Sequence, residues 1–258
     1  MKRIKTILVA AITGAALFAG CRKSDIGLNN ASAYQATTTP AKDIPGDYAL
    51  VGFNLLMLPS QQGDMIKWEA GTLNAGMIMM DATKEVGNAL KLVNFFTELR
   101  GGSYKLYGPL TVGHVAVPPA RYMEHKFTVK LNPQGTDAAL HMYGKYYIAD
   151  AQASLGKSIR PETQVAVNLV IDQPIELVGY YKAPLVLALR DQHTITLYID
   201  PAVMTGGITK QMLLEAKKTH SVVLISSTEN PQLYKYIINN LAKVLRVKVE
   251  SKGTLPSA

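Results

Sequence analysis

Tyr122-Met123-Glu124-His125-Lys126-Phe127-Thr128-Val129-Lys130-Leu131 is the stretch on which the reading of the fold turns. It alternates cleanly. Phe127, Val129 and Leu131 fall on one face of an extended chain, and Lys126, Thr128 and Lys130 on the other. Successive side chains of a strand point to opposite faces, so the pattern describes a strand with one buried and one wet face, typical of an antiparallel sheet. Asn132-Pro133-Gln134-Gly135 supplies a turn after it. Ala139–Ala149 then places Leu140, Met142, Tyr146 and Ile148 together. After a loop at Ser154–Glu162, the pattern returns in Val165–Ile171, Ile175–Tyr181, Leu185–Leu189 and Thr194–Asp200.

Upstream, Pro118-Pro119 ends a short strand at Leu110–Val117, and Tyr104–Tyr107 is another. Gly101-Gly102 forces a turn. Ala89–Leu99 fits strand or helix, since a short apolar run does not decide the period. Gly76–Thr83 and Met65–Ala70 read as two further strands. The first carries Met77, Met79 and Met80 as adaptable packing; the second carries Trp68, the sole tryptophan, as a core anchor. Ala49–Leu58 is a buried strand closed by Pro59. Many short strands split by turn signals predict an all-β domain over residues 47–250, in the form of an antiparallel β-sandwich.

The last fifth adds two helices. Ile208–Lys218 has Ile208, Met212 and Ala216 at helical spacing. A β-like run, Val222–Ile225, leads to a second helix that Asn230 is placed to cap, with Pro231 in its first turn and Leu233, Ile237, Leu241 and Val244 as its apolar stripe. Val247–Glu250 reads as an edge strand, and residues 251–258 as a flexible tail.

The beginning of the chain carries an address. Lys2, Arg3 and Lys5 precede an apolar run at Ile7–Phe18, followed by Ala19, Gly20 and the only cysteine, Cys21. A basic n-region, a short apolar h-region and small residues at the cut make a secretory signal over residues 1–20. The cut before a cysteine makes it a lipoprotein signal, with Cys21 as the lipidation site. The apolar run is shorter than the roughly 20 residues a spanning helix needs. Residues 21–46 hold the lipidated cysteine and a tether rich in Ser, Thr, Asn, Ala and Pro, with a flexible reach of roughly 25–30 Å. A single cysteine excludes an intramolecular disulfide, so the domain relies on packing. The formal charge of +8 includes Lys2, Arg3 and Lys5; without them it is +5. That charge is modest and scattered, which argues against a nucleic-acid partner. The basic stretch Lys235, Lys243, Arg246, Lys248 and Lys252 reads as a solvated face, with anionic lipid or glycan as its other reading.

The order of these segments resembles a family of uncharacterised Bacteroidota lipoproteins. The matching residues are Ile66-Lys67-Trp68-Glu69-Ala70-Gly71-Thr72-Leu73-Asn74-Ala75, Val117-Pro118-Pro119-Ala120-Arg121-Tyr122, Leu140-His141-Met142-Tyr143-Gly144-Lys145-Tyr146 and Asn230-Pro231-Gln232-Leu233-Tyr234. Ala120 stands where that family more often has glycine. The resemblance implies a transthyretin- or immunoglobulin-like β-sandwich and an envelope address, and it carries no catalytic residues. By resemblance to diderm lipoprotein sorting, Arg22 after the cysteine, rather than Asp, implies the outer membrane. Lys23-Ser24-Asp25 partly resembles the export tag of surface lipoproteins, so the domain is expected to face either the cell surface or the periplasm.

No catalytic or metal-binding spacing is present, and no cofactor is expected. His114, His125, His141, His193 and His220 form no i, i+2 or i, i+4 pair, whereas metal sites need clustered ligands. Ser154-Leu155-Gly156-Lys157 matches S-x-x-K, but that chemistry requires a helix, and Gly156 with Pro161 argues for a loop. The carboxylates Asp81, Glu85, Glu98, Glu124, Asp172, Glu176 and Asp191 are separated by strand reversals; a hydrolytic pair would have to meet in space. The binding signal is aromatic. Tyr143 and Tyr147 lie on one strand and Tyr180 and Tyr181 on another, where an outward ring can stack on a sugar. Half-buried packing with the hydroxyl at the rim is the competing reading. The expected function is a lipid-anchored, non-enzymatic binding or assembly module. Its partners would be the membrane, through acyl chains on Cys21, and a glycan or another envelope protein. The alternative is a surface glycan-processing hydrolase.

Overall fold

The computed structural model describes residues 34–35, 47–99, 103–107, 110–148, 156 and 164–254. The signal segment with Cys21, most of the tether, and Ser154-Leu155-Gly156-Lys157 apart from Gly156 lie outside them. In chain order the strands are β1 (Tyr34–Gln35), β2 (Ala49–Met57), β3 (Lys67–Val86), β4 (Ala89–Glu98), β5 (Ser103–Lys105), β6 (Leu110–Val117), β7 (Ala120–Leu131), β8 (Leu140–Tyr147), β9 (Gln164–Ile171), β10 (Ile175–Tyr181), β11 (Leu185–Leu187) and β12 (Asp191–Ile199). Then follow helices α1 (Pro201–Met204) and α2 (Lys210–Glu215), strand β13 (Val222–Ile225), helix α3 (Pro231–Leu241) and strand β14 (Leu245–Thr254).

The strand around which the sheet is built is β3. Its first part, Lys67–Leu73, pairs antiparallel with β8, and Thr72–Asn74 pairs with β5. Its second part runs between β7 and β4. The two strands expected at Met65–Ala70 and Gly76–Thr83 are therefore one strand of 20 residues. No proline interrupts it. At Gly76 the pairing with β7 shifts register, and a Cβ there would meet Asn132 Nδ2 at 2.7 Å. Glycine lets the strand change partners without ending.

The main path of the sheet is β13-β9-β8-β3-β7-β10-β14-β12-β2-β6. It is mixed, which corrects the expected antiparallel sandwich: β12 with β2, β10 with β14 and β13 with β9 run parallel. Alternation reports which face is wet. It does not report which strand lies alongside or in which direction it runs. β1 also pairs parallel, placing Tyr34 and Gln35 beside Phe95 and Phe96, so the expected tether contributes a strand.

β2 and β7 are separated along that path by β10, β14 and β12, yet the Phe53 and Phe127 rings meet edge to face at 6.5 Å. The sheet therefore curls and packs its inner face on itself. A Cβ on Gly113 in β6 would lie 3.1 Å from Thr97 Oγ1 in β4, so the end of the path comes back beside β4. Ile78, Met80, Phe95, Tyr122, Val129, Leu131, Leu177, Ile195 and Leu197 are buried in the same core. Trp68 is buried as expected.

Among the described residues, three short helices stand where two were expected. Asp200 caps α1 by accepting from the Ala202 and Val203 amides at 3.0 and 3.3 Å. Thr209 caps α2 through the Met212 amide at 3.2 Å. The predicted helix at Ile208–Lys218 is cut to six residues because Ala216 turns extended and Asn230 Oδ1 holds the Lys217 amide at 2.8 Å. Asn230 stands at the N-cap position of α3 as expected, but its side chain makes no capping bond. Its φ of 53° is left-handed, and its side-chain amide donates instead to the Lys217 and Leu224 carbonyls. The stripe Leu233, Ile237, Leu241 and Val244 is buried as read. No helix among the described residues is long and apolar enough to cross a membrane.

Candidate functional site: a pocket at the β7 bulge

β7 breaks the clean alternation expected over Tyr122–Leu131. Asp81 of β3 pairs with Lys126, but Thr83 pairs with Met123, so two residues of β7, Glu124 and His125, face one of β3. That is a β-bulge, a device that re-aims side chains. Glu124 absorbs it with a φ of 53°, a region non-glycine residues seldom occupy. The bulge allows Tyr122 and Phe127, five residues apart, both to be buried. Strict alternation cannot do that.

The bulge turns His125 inward. It is 1% exposed, stacked on Phe127 at 6.3 Å and tilted against Tyr181 at 5.7 Å. Its Nδ1 lies 3.2 Å from the Tyr181 carbonyl oxygen. A carbonyl only accepts, so Nδ1 carries the proton and donates, which leaves Nε2 with a lone pair. Nε2 is buried and has no partner. Burial pushes the His125 pKa below its ordinary value, more strongly than the Tyr181 carbonyl pulls it up, so the ring is held neutral.

On the other side of β7, β10 lies in register, with Tyr180 opposite Lys126 and Tyr181 opposite His125. A pocket of about 530 Å³ opens here, lined by Glu124, His125, Lys126, Tyr180, Tyr181 and Lys182. Its size falls in the range of small-molecule sites, about 300–1,000 Å³. Tyr180 is 62% exposed and Tyr181 half-buried. Among the described residues, neither Lys126 nor Lys182 belongs to an ion pair.

Of the four tyrosines singled out in the sequence, Tyr180 and Tyr181 share this pocket; Tyr143 and Tyr147 do not line it. Tyr143, 44% exposed on β8, lies against His141 at 4.3 Å, with its hydroxyl 3.2 Å from His141 Nδ1. Tyr147 is half-buried under Lys67, whose ammonium sits 5.0 Å above the ring. The sequence reading missed His125. Its signal was the parity conflict between Tyr122 and Phe127, which marks a bulge beside a histidine.

The remaining histidines stay apart. His114, His141 and His193 lie on β6, β8 and β12, and His220 adopts a left-handed turn conformation. Among the described residues, no group of three or more His, Cys, Asp or Glu is arranged to hold a metal ion. Several carboxylates sit beside cations: Glu85 with Arg121 at 3.8 Å, Glu176 with Lys130 at 3.5 Å, and buried Asp200 with Arg246. A second, smaller pocket of about 350 Å³ lies between α2 and α3, lined by residues including Met212, Glu215, Asn230 and Leu233.

No protein-family model matches the chain, and no curated protein matches it. Among solved structures, the chain is similar to a candidate cell adhesion protein from Parabacteroides distasonis, at 8% identity and a TM-score of 0.22. The alignment covers 82% of this chain and 54% of that one, so this chain spans about half that protein's length.

Proposed function

We propose that the protein is a lipid-anchored binding module of the bacterial cell envelope, without catalytic activity of its own. The observation that carries this reading is the run from Lys2 to Cys21: basic start, apolar centre, small residues, then the sole cysteine. Acylation of Cys21 would hold the domain at the outer membrane, since two or more chains anchor stably where one does not. The curled sheet is read as a divergent form of the sandwich that the resemblance implies. The exposed ring of Tyr180 at the mouth of a pocket supports binding. A glycan-processing enzyme would need two facing carboxyl groups, and Glu124 is the one carboxylate lining this pocket.

Cys21→Ala tests the anchor. The wild-type chain should fractionate with membranes and take up a labelled palmitate analogue, and the variant should do neither. A variant that stays with the membranes sinks the lipoprotein reading. Protease treatment of intact cells distinguishes the two orientations: digestion places the domain at the surface, and protection places it in the periplasm.

A further inference from the structure

We infer that the outer face of β4, β3, β7 and β11 is a self-recognition surface, on which a second copy of this chain docks about a two-fold axis running along the seam between β3 and β7. The docking requires neither acylation of Cys21 nor a ligand.

Register defines the face. Cross-strand partners share a side of a sheet, and so do residues two apart on a strand. One row runs Leu90, Glu85, Arg121, Val186: Leu90 pairs with Glu85, Glu85 reaches Arg121 at 3.8 Å, and Arg121 pairs with Val186. The next runs Leu92, Thr83, Met123. The third runs Asn94, Asp81, Lys126, Tyr180, with β10 in the place of β11 beside β7. The other side of the same strands holds buried Ala82, Val93, Tyr122 and Leu185, so these rows face outward. Leu90, Leu92, Val186 and Tyr180 are each more than half exposed. Large apolar side chains gathered on one exposed face mark an interaction surface.

Charge names the occupant. Within these rows β3 supplies two acids, Glu85 and Asp81, and β7 two bases, Arg121 and Lys126. Leu90 and Leu92 flank them on one side, Val186 and Tyr180 on the other. The charges sum to zero, which gives an anionic lipid surface no hold. They are complementary to themselves. A two-fold axis along the seam carries β3 of one copy over β7 of the other, and β4 over β11. Glu85 then faces the second copy's Arg121, Asp81 faces its Lys126, and Leu90 faces its Val186. That is the reciprocal pattern of an isologous dimer. An axis across the strands would set acid on acid and base on base, since each of the two strands carries one sign there. Asp81 accepts from the Asn94 amide. Among the described residues neither Asp81 nor Lys126 belongs to an ion pair, so both charges are left for the contact.

Sedimentation equilibrium of the full chain, in density-matched detergent with micelles in excess, should show a dimer whose share rises with concentration. Glu85→Arg sets base against base, and Arg121→Glu sets acid against acid. Each should weaken association at least about tenfold. Mixed in equal amounts, the two variants should associate again, because one then carries only bases in that row and the other only acids. That recovery also shows that both are folded. Leu90→Ser should weaken the dimer about tenfold. Tyr143→Ala, on β8, should leave it unchanged.

A monomer at the highest soluble concentration overturns the proposal and leaves the anchoring reading to its own test at Cys21. A dimer that neither charge variant weakens lies on another face, which also overturns it. Mixed variants that stay apart overturn the two-fold arrangement. If the Cys21→Ala chain floats with phosphatidylethanolamine–phosphatidylglycerol vesicles and added Leu90→Ser abolishes that, lipid covers the face in place of a second copy.

Discussion

At the scale of single residues, the acid sensitivity of the fold follows from its histidines. Burial holds His114, His125 and His141 below the ordinary value of 6.5, with Lys252 adding to the effect at His114. As pH falls through 6.5 the unfolded chain takes up protons that the folded chain refuses. Stability then falls, and continues to fall until the folded pKa is reached; above 6.5 the three groups contribute no slope. Melting temperatures measured from about pH 8 to pH 5 should be flat and then decline, and His125→Phe should make the decline shallower. An unchanged decline in that variant would mean His125 does not resist protonation. Tyr107 acts at the other end of the scale. Its hydroxyl donates to the Trp68 carbonyl at 2.8 Å, and burial, with Glu69 nearby, pushes its pKa up to about 12. Between its ordinary value of 10.0 and about 12 the unfolded chain ionises first, so stability falls across that window. Tyr107→Phe should remove that alkaline loss.

At the scale of elements, Gly179 shows how close β10 and β14 lie. A Cβ there would sit 2.5 Å from the Leu245 carbonyl oxygen and 2.6 Å from the Leu245 Cβ. The obstacle is backbone, which cannot swing aside as a side chain can. Gly179→Ala should cost about 1–3 kcal/mol, read as a lower urea midpoint at unchanged slope. A midpoint within error of wild type would show that the two strands can separate without loss. Much of this layer was legible in the sequence. β7 and β12 declared themselves because apolar and polar residues alternate along them, although Thr128, Thr194 and Thr196 on the polar faces are buried in the fold. The stripe of α3 did so because its period is helical. What was not legible depended on partners far along the chain. The two expected strands merge into β3 because Gly76 permits a change of neighbours, and a glycine in sequence reads equally well as a stop. Asn230 fits an N-cap by composition, yet its side chain is taken by Lys217 and Leu224, which only the fold brings near. Tyr180 was legible as an exposed strand aromatic. His125 was not, because its meaning depends on a bulge and on a carbonyl from another strand.

At the scale of the whole molecule, the largest departure is β14. It was expected as a short edge strand followed by a flexible tail. It runs instead from Leu245 to Thr254 between β10 and β12, pairing with β12 from Ile199 back to Asp191. Ending the chain after Glu250 would remove the pairings of Ser251 with His193, Gly253 with Gln192 and Thr254 with Asp191. Loss of those ladder bonds should lower stability by roughly 1–3 kcal/mol, seen as a reduced melting temperature. No change would return these residues to the status of a tail.

The position of β14 also bears on how the protein is made. Its neighbour β12 pairs on its other side with β2, near the opposite end of the described chain. Contacts so distant in sequence form slowly, because long loops must close before they are rewarded. A polypeptide emerging from its amino end has both neighbours of β14, β10 and β12, before β14 itself is made. During that interval the edge of β12 that β14 covers, from Asp191 to Ile199, is bare, a template for pairing with a wrong chain. Arrested or truncated chains that lack β14 should therefore be the aggregating species.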